Sequence, residues 1–150
     1  MKTERFALLL QISLLILLLG IPFTVVAEED VVLPDLPRIS AEELLKLINT
    51  KADVVIVDTR DSGSYAAGHI KGAINIYYDV TSDPMQRQMM LIALPMDKMV
   101  VTYCDCTDDA NSAQVIQELY DLGYELEYLR VLSGGSLRWV DLKYPLVKTQ

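Results

Sequence analysis

Two short apolar runs constrain this chain more than any other feature, because neither of them alternates. Asp53 to Asp58 encloses Val54-Val55-Ile56-Val57, and Met99-Val100-Val101-Thr102-Tyr103 repeats the pattern further on. Consecutive β-branched residues predict strands, and the lack of alternation predicts burial on both faces. Such strands sit inside a parallel sheet, whose connections are helical crossovers. The segments between the runs read as those helices. Ser40 and Glu43 have capping-box spacing, ahead of an apolar face of Leu44, Leu45, Leu47 and Ile48. Asp83-Pro84 opens another helix, which Pro95 ends. Asn111 or Ser112 caps a third, with Val115, Ile116, Leu119 and Leu122 facing inward and Gly123 as its stop. Ala73 to Ile76 and Tyr128 to Leu132 add short strands, and Leu137 to Leu142 a closing helical turn or two. In sheets of this kind, ligands bind off the carboxyl ends of the strands. Met99–Tyr103 runs directly into Cys104, so the cysteines are expected at that edge.

Composition narrows the function. Thirteen basic against 21 acidic residues give a net charge of −8, which argues against a nucleic-acid partner. Two cysteines are too few for a disulfide-stapled miniprotein or a four-ligand structural zinc site. The N-terminal segment reads as an address. Lys2 and Arg5 precede an apolar run from Phe6 to Val26, which Gly20 and Pro22 interrupt before Val25-Val26-Ala27. That is a secretory-signal layout over residues 1–27, with cleavage after Ala27; the alternative is an uncleaved membrane anchor. Both place the remainder outside the cytoplasm, periplasmic or secreted, with membrane contact only through residues 1–27. Residues 28–37, with their acids and prolines, read as a linker to a domain at 38–147.

Three stretches of that domain resemble the rhodanese-homology family. The first is Asp58-Thr59-Arg60, then Tyr65, then Gly68-His69-Ile70-Lys71-Gly72-Ala73. The second is Val100-Val101-Thr102-Tyr103-Cys104, similar to the strand that leads to the family's sulfur-carrying cysteine. The third is Gly134-Gly135, Trp139 and Tyr144-Pro145-Leu146. The resemblance implies a three-layer α/β fold with a mainly parallel five-stranded sheet and helices on both faces. It implies a sulfurtransferase that holds sulfane sulfur as a cysteine persulfide and uses no cofactor. The partners it implies are a small sulfur donor (thiosulfate, polysulfide or a protein persulfide) and a thiol acceptor. It also implies a cysteine loop whose backbone N–H groups point inward and stabilise the sulfur anion.

The loop departs from the family pattern. Cys104-Asp105-Cys106-Thr107-Asp108-Asp109-Ala110-Asn111-Ser112 contains neither glycine nor arginine. Cys104 and Cys106 are the catalytic candidates: strand geometry favours Cys104, and compact spacing to Ser112 favours Cys106. The remaining loop residues are substrate-binding candidates. Asp58 and Arg60 read as an ion pair or loop hydrogen bonds that support the sheet edge, with Arg60 as the alternative source of the missing cation. Asp108 and Asp109 also suit the N-terminus of the following helix. Nearby carboxylates disfavour a thiolate and repel thiosulfate. An inactive rhodanese-fold binding module, a Cys-x-Cys redox switch and, more weakly, a cysteine phosphatase are therefore alternatives. His69, the single histidine, and Trp139 read as structural. Met85, Met89, Met90 and Met96 read as core filler, with a copper site as the competing reading.

Overall fold

A computed structural model describes residues 36–149 of the chain. The expectation of a signal or anchor at 1–27, and most of the proposed linker, lie outside these residues. Among the described residues, no helix is long and apolar enough to cross a membrane. In chain order the elements are β1 (Arg38–Ile39), α1 (Ala41–Asn49), β2 (Val54–Asp58), α2 (Ser62–Ala67), β3 (His69–Ile70) and β4 (Ala73–Asn75). There follow α3 (Pro84–Ile92), β5 (Met99–Tyr103), α4 (Ala110–Asp121), a 3-10 turn at Leu126–Tyr128, β6 (Leu129–Leu132), α5 (Gly135–Asp141) and β7 (Leu146–Val147).

Five strands form one sheet in the order β1-β6-β5-β2-β4. All four pairings are parallel, with Val54 opposite Met99 and Asp58 opposite Tyr103 along the central pair. β3 and β7 form a separate antiparallel ribbon. The non-alternating runs are explained by the two layers of helix. Ile56, Val101, Tyr103 and Leu132 face a core with Leu44 of α1 and Trp139 of α5. Val57, Val100, Leu129 and Val131 face the other core, with Leu91 of α3 and Val115, Ile116 and Leu119 of α4. Each such side chain removed from water contributes about 1.5–3 kcal/mol. A strand apolar at every position is therefore stable only as the middle layer.

Local signals set the helix starts. Ser40 and Glu43 form the expected capping box on α1. Asp83 caps α3, with Pro84 in the first turn, where a missing N–H costs nothing. Trp139 is buried and its indole N–H donates to the Pro145 carbonyl at 3.1 Å. Three expectations are corrected. The four methionines are not core filler: Met85, Met89, Met90 and Met96 are all exposed, the first three because α3 turns Arg87 and Leu91 inward instead, and Met96 in the segment after the helix. α3 ends at Ile92, before Pro95 is reached. α4 begins at Ala110 with Asp109 at its N-cap, two or three positions earlier than a cap at Asn111 or Ser112 would give.

Candidate active site

β5 is the middle strand of the sheet, and its carboxyl end delivers Cys104. Cys104 is 1% exposed. It is joined by a disulfide to Cys106, which is half-buried, and no described cysteine is free. Strand geometry and accessibility thus point to different sulfurs. The Cys104 sulfur lies 3.6 Å from Ser112 Oγ. That hydroxyl donates to the Asp109 carbonyl at 2.9 Å, and the Ser112 carbonyl accepts from Thr102 Oγ1 at 2.9 Å. Ser112 thereby ties the sulfur to the first turn of α4 and back to β5.

The Gly134-Gly135 pair closes the other side. Ser136 N–H donates to the Cys104 carbonyl at 2.8 Å. Gly135 packs directly on that carbonyl: a Cβ built there would overlap its oxygen and lie 3.1 Å from its carbon. Gly135 also has φ +48°, the left-handed region. Contact and conformation both require glycine here.

The three loop aspartates have separate duties. Asp105 and Asp108 are exposed. Asp108 accepts from Ala110 N–H at 3.2 Å, which satisfies one free amide of α4. Asp109 makes no side-chain cap. It is buried, takes a left-handed backbone with φ 58°, and turns its carboxylate under the loop. There its Oδ2 accepts from Arg38 Nη1 at 2.6 Å and Gly134 N–H at 3.1 Å. Its Oδ1 is buried without a hydrogen-bond partner among the described residues. The capping role expected of both acids therefore holds for Asp108 only. Asp109 is a clamp between β1, the cysteine loop and the start of α5, and a buried carboxylate requires such a cation.

Arg60 is placed away from the loop. Its guanidinium bonds Asp58, with Nη2 to Oδ2 at 2.6 Å, and the Gly68 carbonyl at 2.8 Å. Among the described residues, no Arg60 hydrogen bond reaches 104–112. The reason is Asp58, which is fully buried and needs a partner. Burial alone would lower the Arg60 pKa, but the Asp58 hydrogen bond and charge raise it on balance. Tyr103 completes the network. Its hydroxyl donates to Asp58 Oδ2 at 2.6 Å and accepts from Ile70 N–H at 3.1 Å. Burial, then the Asp58 charge, push that phenol well above its ordinary range. His69 stacks on Tyr65, with ring centroids 3.9 Å apart, and its Nδ1 lies 2.9 Å from the Tyr65 carbonyl. The Asp-Thr-Arg and Gly-His-Ile stretches are thus a buried scaffold beneath the sheet edge.

Two loop amides are occupied locally. Asp109 N–H donates to the Cys106 carbonyl at 3.3 Å and Ala110 N–H to Asp108. At these positions the loop does not present the inward-facing amides that the resemblance implies. Thr107 is exposed and Asn111 half-buried. Sequence reasoning missed three residues of the site: Arg38, Gly135 as a packing partner of Cys104, and Tyr103. Tyr103 joins Asp58 only through the β2–β5 register, which the sequence does not carry.

Known proteins match this arrangement. The rhodanese-like domain family matches residues 40–142. A tRNA uridine(34) hydroxylase of Bdellovibrio bacteriovorus is 29% identical over 72% of the chain, and an HTH-type transcriptional regulator of Mycobacterium tuberculosis is 32% identical over 76%. The chain spans only 29% and 46% of the lengths of these relatives. The crystal structure of a rhodanese-related protein from Thermoplasma volcanium superposes with a TM-score of 0.60 at 23% identity, covering 75% of this chain and 99% of that one. A human single-domain sulfurtransferase gives 0.54 at 25% identity, covering 71% and 97%. With the parallel sheet, the cysteine at the end of its middle strand and a family match over most of its length, the chain belongs to the rhodanese-like domain family.

Proposed function

We propose that the chain is a sulfurtransferase that moves sulfane sulfur through a persulfide formed in the Cys104–Ser112 loop. The observation that carries this reading is the cysteine pair at the carboxyl end of the middle strand, with Cys104 buried and Cys106 only half-buried. The likeness to a human single-domain sulfurtransferase supports it. The donor is a polysulfide or a protein persulfide rather than thiosulfate. Asp105 and Asp108 are exposed on the loop, and Arg38 and Arg60 are each paired with an aspartate, so a dianion finds no free cation from them. The acceptor is a thiol. The signal-like pattern of residues 1–27 supports a reaction outside the cytoplasm.

The test is intact mass of the reduced protein after exposure to polysulfide and to thiosulfate. A gain of one sulfur atom from polysulfide, lost again on adding a thiol, is expected. A protein that gains nothing from either donor, and releases no hydrosulfide, is a binding module instead. A thiol–disulfide switch is a second reading, favoured by the Cys104–Cys106 bond. It requires the loop to change reactivity or binding with oxidation state while never carrying sulfur.

A further inference from the structure

We infer that the two cysteines divide one reaction between them. Cys106 takes the sulfur atom, Cys104 expels it as hydrosulfide, and the domain is a dithiol-dependent polysulfide and persulfide reductase. This inference rests on the persulfide reading above and extends it to a different product.

Three observations carry it. Cys104 is 1% exposed, roofed by Gly135 and Ser136, and held against Ser112, so a bulky donor does not meet it first. Cys106 is half-buried and flanked by exposed Asp105 and Thr107, so it does. The two sulfurs are bonded to each other in the structure, which places Cys104 within attacking reach of anything carried on Cys106. The loop's charge supplies the third. A persulfide on Cys106 is an anion beside Asp105 and Asp108. Like charges disfavour storing it and favour its departure.

The chemistry balances without further groups. The Cys106 thiolate attacks a sulfane sulfur of the donor; a sulfur–sulfur bond forms, and the donor leaves one sulfur shorter. Cys104 sulfur then attacks Cys106 Sγ. The Cys104–Cys106 bond forms, the bond to the outer sulfur breaks, and that sulfur takes the electron pair and the Cys104 proton as HS⁻. The outer sulfur is reduced, and the two cysteine sulfurs are oxidised to the disulfide. An external dithiol returns both to thiols by exchange.

The experiment uses the full chain, reduced and freed of reductant, then mixed with inorganic polysulfide. Hydrosulfide release, free thiols and intact mass are followed in time. The wild type is expected to release hydrosulfide as both thiols disappear, and to turn over continuously once a dithiol is added. Cys104→Ser, with Cys104→Ala as the alternative if only one variant keeps the wild-type circular dichroism, is expected to retain one sulfur on Cys106 and to lose turnover. Cys106→Ser is expected to fall to the background of dithiol and polysulfide alone. Should neither Cys104 variant fold, the wild type decides: a species one sulfur heavier must precede the disulfide. Stable retention of sulfur by the wild type overturns the inference. So does full turnover in a Cys104 variant, or sulfur loading by Cys106→Ser. Those results leave sulfur transfer standing, whereas absence of both loading and hydrosulfide in every protein sinks the parent reading as well.

Discussion

Replacing Gly135 by alanine tests whether α5 and the cysteine loop are locked together. The new Cβ overlaps the Cys104 carbonyl oxygen and lies 3.1 Å from its carbon, both backbone atoms that cannot rotate away. The residue must also hold φ +48°. Left-handed backbone costs a side-chain-bearing residue about 1–2 kcal/mol. Relieving the overlap separates Ser136 N–H from the Cys104 carbonyl, now 2.8 Å apart. Leaving that buried pair unmade costs about 1–3 kcal/mol. Alanine recovers about 0.4–1 kcal/mol by restricting the unfolded chain. The net expectation is a loss of about 1–5 kcal/mol, centred on ~3 kcal/mol. Gly72→Ala is the control, since Gly72 has φ +86° but no atom within 4 Å of its would-be Cβ. It carries the backbone cost alone, a loss of about 1 kcal/mol. Urea unfolding with the disulfide intact measures both. Equal midpoint shifts in the two variants would refute the packing argument, as would an unchanged midpoint in Gly135→Ala.

Two other outcomes follow from the scaffold. Tyr103→Phe removes the hydroxyl that joins Asp58 to the Ile70 amide; unfolding should show a loss of about 1–3 kcal/mol with sulfur loading retained, and a neutral effect on stability would contradict the network. Acid should weaken the domain. Backbone and side-chain hydrogen bonds from Ser40 hold Glu43 below its ordinary value of 4.5, and bonds from Ser64 and Gly63 hold Asp61 below 3.8. Carboxylates depressed in the folded state contribute stability that is complete above those ordinary values and is lost as pH falls through the lowered ones. Urea midpoints measured downward from pH 6 should therefore be level until about pH 4.5 and then decline, less steeply in Ser64→Ala; a midpoint that rises on acidification would reverse the sign.

Much of the fold was legible because its signals are local or periodic. The runs at Val54–Val57 and Met99–Tyr103 carry two-sided burial in their own composition, and Ser40, Asp83 and Pro84 mark helix starts within one turn. The first turn of α4 was misread for the opposite reason. Asp109 is a good capping residue by type, yet its carboxylate is taken by Arg38, which lies 71 positions away. A long-range ion pair overrode a local preference, and no window of sequence contains both partners. The Asp58–Arg60 pair is the contrasting case: its partners stand two positions apart, and the ion pair the sequence suggested is the one that forms. The disulfide was weighed only as an alternative, because two adjacent thiols carry no sign of their oxidation state.

β1 is two residues long and looks dispensable, yet Arg38 belongs to it. A fragment trimmed to residues 40–142, the span the family match would suggest, keeps every atom of the cysteine loop. It discards the counter-ion of Asp109 and the β7 half of the ribbon with β3. The smallest piece worth producing for enzymology begins upstream of Arg38 and continues past Val147. Boundaries drawn by homology alone would deliver a loop with its foundations cut away.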